Sequence, residues 1–468
     1  MHFSIPFLLI CLLSLAGCSE SQLPQQSASL STEENENRGF SSVPADYGKR
    51  KPDESDLNYL LRKGVYPIPP EKGGGYRFDD TFETCPEEDL PLLSQVEGLR
   101  SFWIGNGPFS PAGWKQIGQI SGLETLRARS SYITDEHIIG LKGLTHLKDL
   151  QIFRIWDRKS QISDKGLEVL AELPGLRRLV LHSSELNPRA CELIGNCTQL
   201  RVLELRGPLT NECLKPLGKL KNLKYLMLEG TFSDTGLKHL AELNQLERLV
   251  IHSDQMTGSG LSHFTNFSEL RELGFSGSSE ASATLKYLNQ LPALAILNLA
   301  SPTVNDALLM TLPNLPGLEA LSLRGSSITD TGLEALVQVK NLTELDLKFT
   351  NISNAGLTRL EPLQQLRLLL LGNPAHSDFI TGNGLAPLTK LPHLEMLDMG
   401  HINSEKLDLQ PLAQIKSLRE VDLTFGSPDV SKRWQDVLVQ RPNLKKVEEM
   451  FPVSRRVGEF GVHMKEIP

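Results

Sequence analysis

The stretch ITDTGLEALVQVKNLTELDL, Ile328 to Leu347, decides how this chain folds. It sets a Thr-Asp pair, a glycine and a ladder of leucines side by side. From Ile352 to Leu371 the chain reads ISNAGLTRLEPLQQLRLLLL, with Ile, Gly and Leu at the same offsets. A catalytic site occurs once, whereas a building block recurs, so the stretch is one unit of a repeat. The leading leucines of the LxxLxL runs are Leu99, Leu123, Leu147, Leu176, Leu200, Leu223, Leu246, Leu270, Leu294, Leu318, Leu342, Leu366, Leu394 and Leu418, with a degraded run at Leu444. They lie 24, 24, 29, 24, 23, 23, 24, 24, 24, 24, 24, 28, 24 and 26 residues apart. A period this regular makes a solenoid of stacked supersecondary units, each touching only its neighbours.

Within a unit the periodicity changes. In LTELDLKFT, Leu342, Leu345 and Leu347 face one side of a short strand, and Glu344, Asp346 and Lys348 face the other. After it, Ile352, Gly356, Leu357, Leu360 and Leu363 follow a spacing of three to four, which predicts a helix returning behind the sheet. The pairs Thr134-Asp135, Ser163-Asp164, Ser233-Asp234 and Thr329-Asp330 stand just before that helix. They are expected to cap it by accepting hydrogen bonds from the amides of its first turn. Aspartates recurring in register are structural in this reading, not catalytic.

Units of the form LxxLxLxxTxITDxGL resemble the bacterial leucine-rich repeats of the ribonuclease-inhibitor-like class, and also the repeats of eukaryotic F-box substrate receptors. The resemblance runs from about Tyr76 to Phe451. It implies an α/β leucine-rich-repeat solenoid, or horseshoe, of about 14 repeats, with parallel strands on the concave face and helices on the convex face. No F-box-like helical segment precedes the repeats, so no ubiquitin-ligase role is carried over. Such a fold does not by itself specify a function.

The ends read differently. Ile5 to Leu15 is an apolar run too short to span a bilayer, followed by Leu15, Ala16, Gly17 and Cys18. This resembles the lipobox of bacterial lipoproteins, which implies cleavage before Cys18 and acylation of its thiol and new amino end. Without acylation the same segment describes an ordinary secreted protein. Ser19 after the cysteine, by resemblance to known sorting rules, favours the outer membrane. Residues 18–56 are rich in Ser, Gln, Glu, Asn and Pro and hold too little apolar surface to fold. As a coil this tether spans roughly 35 Å. The expected organisation is a signal peptide over 1–17, a lipidated cysteine and tether over 18–56, an N-terminal cap over 57–98, the solenoid over 99–426, and a C-terminal cap and tail over 427–468. The expected location is the bacterial cell envelope, with membrane contact through the lipid anchor only.

With 48 Lys and Arg against 56 Asp and Glu, the net charge is -8, which argues against a general affinity for nucleic acid. There is no HExxH, GxSxG, SxxK or GxxxxGK[ST], and no CxxC spacing that would suggest zinc. We expect no enzymatic activity, no cofactor and no metal. By register, Cys191 falls with Leu333, Cys197 with Val339, Cys85 with Ile328 and Cys213 with Gly332, so all four are expected as buried free thiols. A bridge between Cys191 and Cys197 would span two helical turns, about 9 Å, beyond disulfide reach.

What remains is the outward face of the strands. The third, fifth and seventh residues from each leading leucine give Arg127, Arg129, Arg178, His182, Arg206, Arg248 and His252 in the first half, interrupted by Asp149, Glu204 and Glu229. Later units give Glu344, Asp346, Asp398, Glu420 and Asp422 against Arg324 and Lys348, so the face is expected to be basic early and acidic late. Trp103, Phe153 and Tyr225 lie beside the basic half, and Arg with aromatics is the mix that anchors protein interfaces. We expect a monomer binding a protein or peptide there. Two alternatives are a glycan or peptidoglycan surface that stacks sugars on Trp103, Tyr225 and Trp156, and a scaffold with no ligand of its own. Insertions after Leu150 (IFRIWDRKSQ) and Leu371 (GNPAHSDFITG) fall between strand and helix on one rim.

Overall fold

The computed structural model describes residues 65–67, 74–79, 87–105, 109–129, 132–153, 160–277, 285–400, 402–423 and 428–446. Cys18, Leu57, Cys85, Trp156, the tether and the tail from Pro452 lie outside them.

The described strands form one sheet in chain order. They are β1 (Val65–Pro67), β2 (Tyr76–Asp79), β3 (Leu99–Ile104), β4 (Thr125–Arg129), β5 (Asp149–Phe153), β6 (Arg178–His182), β7 (Val202–Leu209), β8 (Tyr225–Gly230) and β9 (Arg248–His252). The series continues with β10 (Glu272–Ser276), β11 (Ile296–Asn298), β12 (Ala320–Ser322), β13 (Glu344–Asp346), β14 (Leu368–Leu370), β15 (Met396–Met399), β16 (Glu420–Leu423) and β17 (Lys445–Lys446). From β2 onward each strand pairs in parallel with the next. Only β1 runs antiparallel, against β2, so a hairpin covers the first edge. At the other end the helix Pro428–Gln440 buries Val430, Trp434 and Val437 against the last turn. Both devices cover the apolar end that an open solenoid would otherwise expose.

The leucine ladder accounts for the sheet. One core runs from Phe78 to Leu444, and Leu342, Leu345, Leu357, Leu360 and Leu363 all lie inside it. Burying one such leucine is worth roughly 1.5–3 kcal/mol, and the repeat supplies several per turn. The convex segments are short and mixed, with α-helix at Pro188–Gly195 and Asn211–Leu217 and 3₁₀ turns at Leu285–Gln290 and Gly332–Gln338. With the dense core holding each segment, a full α-helix is not required to close the unit.

The recurrent aspartate acts differently from the expected cap. Its carboxylate reaches forward to the next repeat instead of back to its own helix. Asp135 accepts from the amide and hydroxyl of Ser163 (2.7 Å each), and Asp330 accepts from the amide (2.8 Å) and hydroxyl (2.5 Å) of Ser353. Asp306 holds Thr329 in the same way, and Asp234 takes the Thr257 amide and hydroxyl and the Gly260 amide. Asn211 and Asn354 stand in for aspartate, accepting from the amides of Ser233 and Thr381. Ser163 and Ser353 do cap their helices, Ser163 Oγ accepting from the Lys165 amide and Ser353 Oγ from the Ala355 amide, while Ser233 makes no such bond. Thr134 gives its hydroxyl to Glu136 and also heads a capping box with His137, whose Nδ1 accepts from the Thr134 amide at 3.2 Å. The glycine two residues after the aspartate follows from this ladder. A Cβ at Gly332 would lie 2.4 Å from Asp306 Oδ1, and one at Gly356 would lie 2.3 Å from Asp330 Oδ1.

Candidate partner-binding face

The parallel register sets the strand residues that point away from the core into rows across the concave face. One row passes through Trp103, Arg127, Gln151, Val180, Glu204, Met227 and Val250. A second carries Asp149, Arg178, Val202, Tyr225, Arg248 and Glu272. A third places Phe153 beside Arg129, and farther along it sets His182, Arg206, Glu229 and His252 beside one another.

Most of the expected basic patch is neutralised in place. Asp149 lies between Arg127 (3.7 Å) and Arg178 (3.8 Å). Burial pushes its carboxyl up, against the pull of Arg178, Gln151 and Arg127. Burial likewise lowers Arg127, with Asp149 opposing. Glu204 binds His182 Nε2 at 2.9 Å and Arg206 Nε at 2.8 Å, and Arg206 reaches on to Glu229 at 3.3 Å. Burial acts to raise Glu204, but His182 and Arg206 together outweigh it and leave the carboxyl below its ordinary value. Arg248 pairs with Glu272 at 3.2 Å, a partner the sequence reading did not name. His252, set beside Glu229, is pushed down to about 4 by burial and by Arg206.

Two carboxylates of the acidic half have cation partners. Lys348 Nζ lies 2.5 Å from Asp398 Oδ2, reaching past β14 to do so. Asp346, 1% exposed, accepts from the Lys348 amide and sits 3.8 Å from Arg324, and burial raises its carboxyl. Arg324 stacks over Phe349 at 4.5 Å. Phe349 has φ 60°, a conformation its counterpart one repeat earlier, Gly325 (φ 67°), adopts without a side-chain penalty. The expected basic half is therefore corrected: from β4 to β10 charges of opposite sign pair across neighbouring strands, while the later strands keep more carboxylates than cations, with Asp398 and Asp422 side by side. Carboxylates on adjacent strands lie close enough to serve the arginines beside them.

Two expected contact residues are inside. Tyr225, 6% exposed, forms a small apolar cluster with Val202, Met227 and Val250 on the concave side, and His182 is equally buried with Phe153 edge-on at 5.6 Å. Tyr225 thus offers no open ring for a sugar. The signal was in the sequence: Val202, Met227 and Val250 are apolar residues at positions that face away from the leucine core. Among the expected residues, the accessible rings and Arg129 gather at β3 to β5, while Arg248 on β9 keeps an open side chain beside Glu272. Trp103 is 36% exposed with Arg127 stacked over it at 4.8 Å, Arg129 is exposed, and Phe153 is half-buried beside it. On the rim insertion, His376 and Phe379 stack at 4.4 Å and both are exposed. No group of His, Cys, Asp and Glu suited to a metal occurs among the described residues.

An open parallel sheet lined by short convex segments, repeating every 23 or 24 residues, defines a leucine-rich-repeat protein. The chain belongs to the family described as leucine-rich repeat region, whose model matches residues 184–456. Proteins of this kind generally act as protein-interaction modules and are typically non-enzymatic scaffolds. No curated protein matches the sequence. Solved structures similar to the chain include an internalin from Listeria monocytogenes, 21% identical over 73% of this chain and 90% of that one, with a TM-score of 0.45. A leucine-rich-repeat protein of Leptospira interrogans is 18% identical over 79% of this chain and 95% of that one, with a TM-score of 0.41.

Proposed function

We propose that this protein is a non-enzymatic interaction module with ribonuclease-inhibitor-like repeats, held at the bacterial cell envelope through an acylated Cys18, that binds a protein or peptide on the concave face near its N-terminal end. The observation that carries the binding reading is the cluster at β3 to β5: exposed Trp103 under Arg127, and exposed Arg129 beside Phe153. An arginine without a carboxylate partner among the described residues, next to two accessible rings, suits an acidic segment that also carries apolar side chains. The lipobox at Leu15 to Cys18 and the polar tether behind it support the anchored location, and Ser19 favours the outer membrane. The chain is read as a monomer that touches the membrane only through its acyl groups and does not bind nucleic acid.

The test is capture from an envelope extract on immobilised protein carrying Cys18→Ser, beside the same chain with Trp103→Ala and Arg129→Glu. A protein retained by the first and lost by the second supports the reading. Equal capture by both removes the β3 to β5 face from consideration. Labelling with radioactive palmitate tests the anchor, and incorporation that survives Cys18→Ser would sink it.

A further inference from the structure

The convex ladder loses its side-chain acceptor at Pro188, and a pair of cysteines stands at that step. In the repeats the glycine after the aspartate faces the preceding unit: a Cβ at Gly236 would lie 3.2 Å from Leu214 Cδ2, and one at Gly260 would lie 2.9 Å from Leu237 Cδ1. The register thus brings the glycine-position residue of one repeat against the leucine-position residue of the repeat before it. At a single step both positions are cysteine, with Cys213 where glycine is usual and Cys191 where leucine is usual.

A side chain fits at Cys213 because of what precedes it. At Gly236 the nearest atom to an added Cβ is Asn211 Oδ1, at 2.5 Å, and the same acceptor crowds Gly166, Gly332 and Gly356. Before Cys213 the equivalent residue is Pro188, the first of the helix Pro188–Gly195, which has no such oxygen. The helices also close tightly farther along, where a Cβ at Gly195 would lie 2.5 Å from the Pro216 carbonyl oxygen. Both cysteines are fully buried free thiols, and each shifts the titration of the other. Cys197, the third described cysteine, points its thiol to the Leu193 carbonyl instead.

We propose that Cys191 and Cys213 are a disulfide-forming pair, oxidised by a disulfide donor as the chain folds and joining the helix Pro188–Gly195 to the helix Asn211–Leu217. The Cys213 thiolate attacks one sulfur of the donor disulfide, forming a mixed disulfide and expelling one donor thiolate. Cys191 then loses its proton to solvent and attacks Cys213 Sγ, expelling the second donor thiolate. Two protein thiols become one disulfide, the donor disulfide becomes two thiols, and two electrons pass to the donor. In the seated pair the Cys191 thiol, followed by the Thr210 backbone and hydroxyl, holds Cys213 down to about 6 against the effect of burial. Since the folded pair is closed to solvent, the exchange belongs to folding, before the two helices seat. A cross-link of this kind constrains the unfolded chain.

The test uses the full chain, unfolded under reducing conditions, refolded by dilution into buffer with reduced and oxidised glutathione, quenched in acid and alkylated in denaturant. Trypsin with a Glu-specific protease cuts after Glu192 and separates Cys191 from Cys197. The expected result is a peptide pair joined through Cys191 and Cys213, 2 Da below the sum of its reduced parts, with Cys197 alkylated. In Cys213→Ser, Cys191 becomes alkylated. Full alkylation of both Cys191 and Cys213 in protein with native circular dichroism overturns the proposal, and so does a link from either of them to Cys85 or Cys197.

Discussion

The carboxylate of Asp234 accepts three hydrogen bonds from the following repeat, from the amide and hydroxyl of Thr257 and the amide of Gly260, all within 2.9 Å. Asp164, at the same place in its own unit, accepts one from the Asn187 side chain at 3.1 Å. Removing the first strands two amide donors, whereas removing the second frees only a side chain that can turn to water. Asp234→Ala is expected to cost about 2–3 kcal/mol and Asp164→Ala about 0.5–1.5 kcal/mol. Urea unfolding of the two variants checks this, and equal losses would show that the ladder carries no load at Asp234.

Gly332 sits 2.4 Å, measured to an added Cβ, from the carboxylate oxygen of Asp306. Gly332→Ala is therefore expected to destabilise by roughly 1–3 kcal/mol through overpacking. Because the clash is with the Asp306 side chain, the double variant with Asp306→Ala should lose less than the sum of the two single changes. A double-mutant cycle on thermal unfolding measures the coupling, and strict additivity would refute it.

His252 is half-buried, and desolvation lowers its folded pKa to about 4 from an ordinary value near 6.5. Between those values the unfolded chain binds the proton and the folded chain does not. Stability is therefore full above about pH 6.5 and declines as pH falls toward 4. His252→Gln should flatten that slope in denaturant titrations run at steps between pH 7 and pH 4. Glu204, whose folded value is lowered, contributes stability above the ordinary carboxylate range, and that contribution is lost at lower pH.

Tyr225 and Trp103 both come from the aromatic set beside the basic residues, yet they should respond in opposite ways. Tyr225→Ala opens a hole among Val202, Met227 and Val250 and should cost about 3–5 kcal/mol. Trp103→Ala, at a site 36% exposed, should leave the melting temperature within a few degrees while weakening capture of the partner. Differential scanning calorimetry paired with the capture assay separates the two.

Lys348 and Asp398 form a pair in which the carboxylate is 1% exposed. Lys348→Ala leaves that charge buried without its ammonium and should cost about 3–5 kcal/mol at neutral pH. Replacing both residues, as Lys348→Met with Asp398→Leu, should recover most of the loss, which thermal unfolding can read directly.

The solenoid was legible because its signal repeats. A leucine spacing of 23 or 24 residues leaves little choice about which side of each strand is buried, and Leu342, Leu345 and Leu347 occupy the core as read. The face was less legible because neighbours there are a whole repeat apart in sequence. Arg248 meets Glu272 only once β9 and β10 are laid in register, and Lys348 passes β14 altogether to reach Asp398. A list of outward residues taken strand by strand records their charges but not which charges cancel. The aspartates were misassigned for the same reason: a Thr-Asp pair ahead of a helix has the local form of a cap, and the aspartate's acceptors are occupied by donors from the next unit.

The ladder has a direction. In each described aspartate and asparagine step, the side-chain oxygen that receives the next unit belongs to the earlier unit, and the amide or side-chain group it receives belongs to the later one. A chain made from its N-terminus therefore has each of these side-chain oxygens in place before its donor arrives. Each newly made turn meets a surface already shaped to accept it, behind a first edge closed by the hairpin of β1 and β2. Growth of the array can proceed like a zip fastened from one end, with no need to wait for the last repeat to be synthesised.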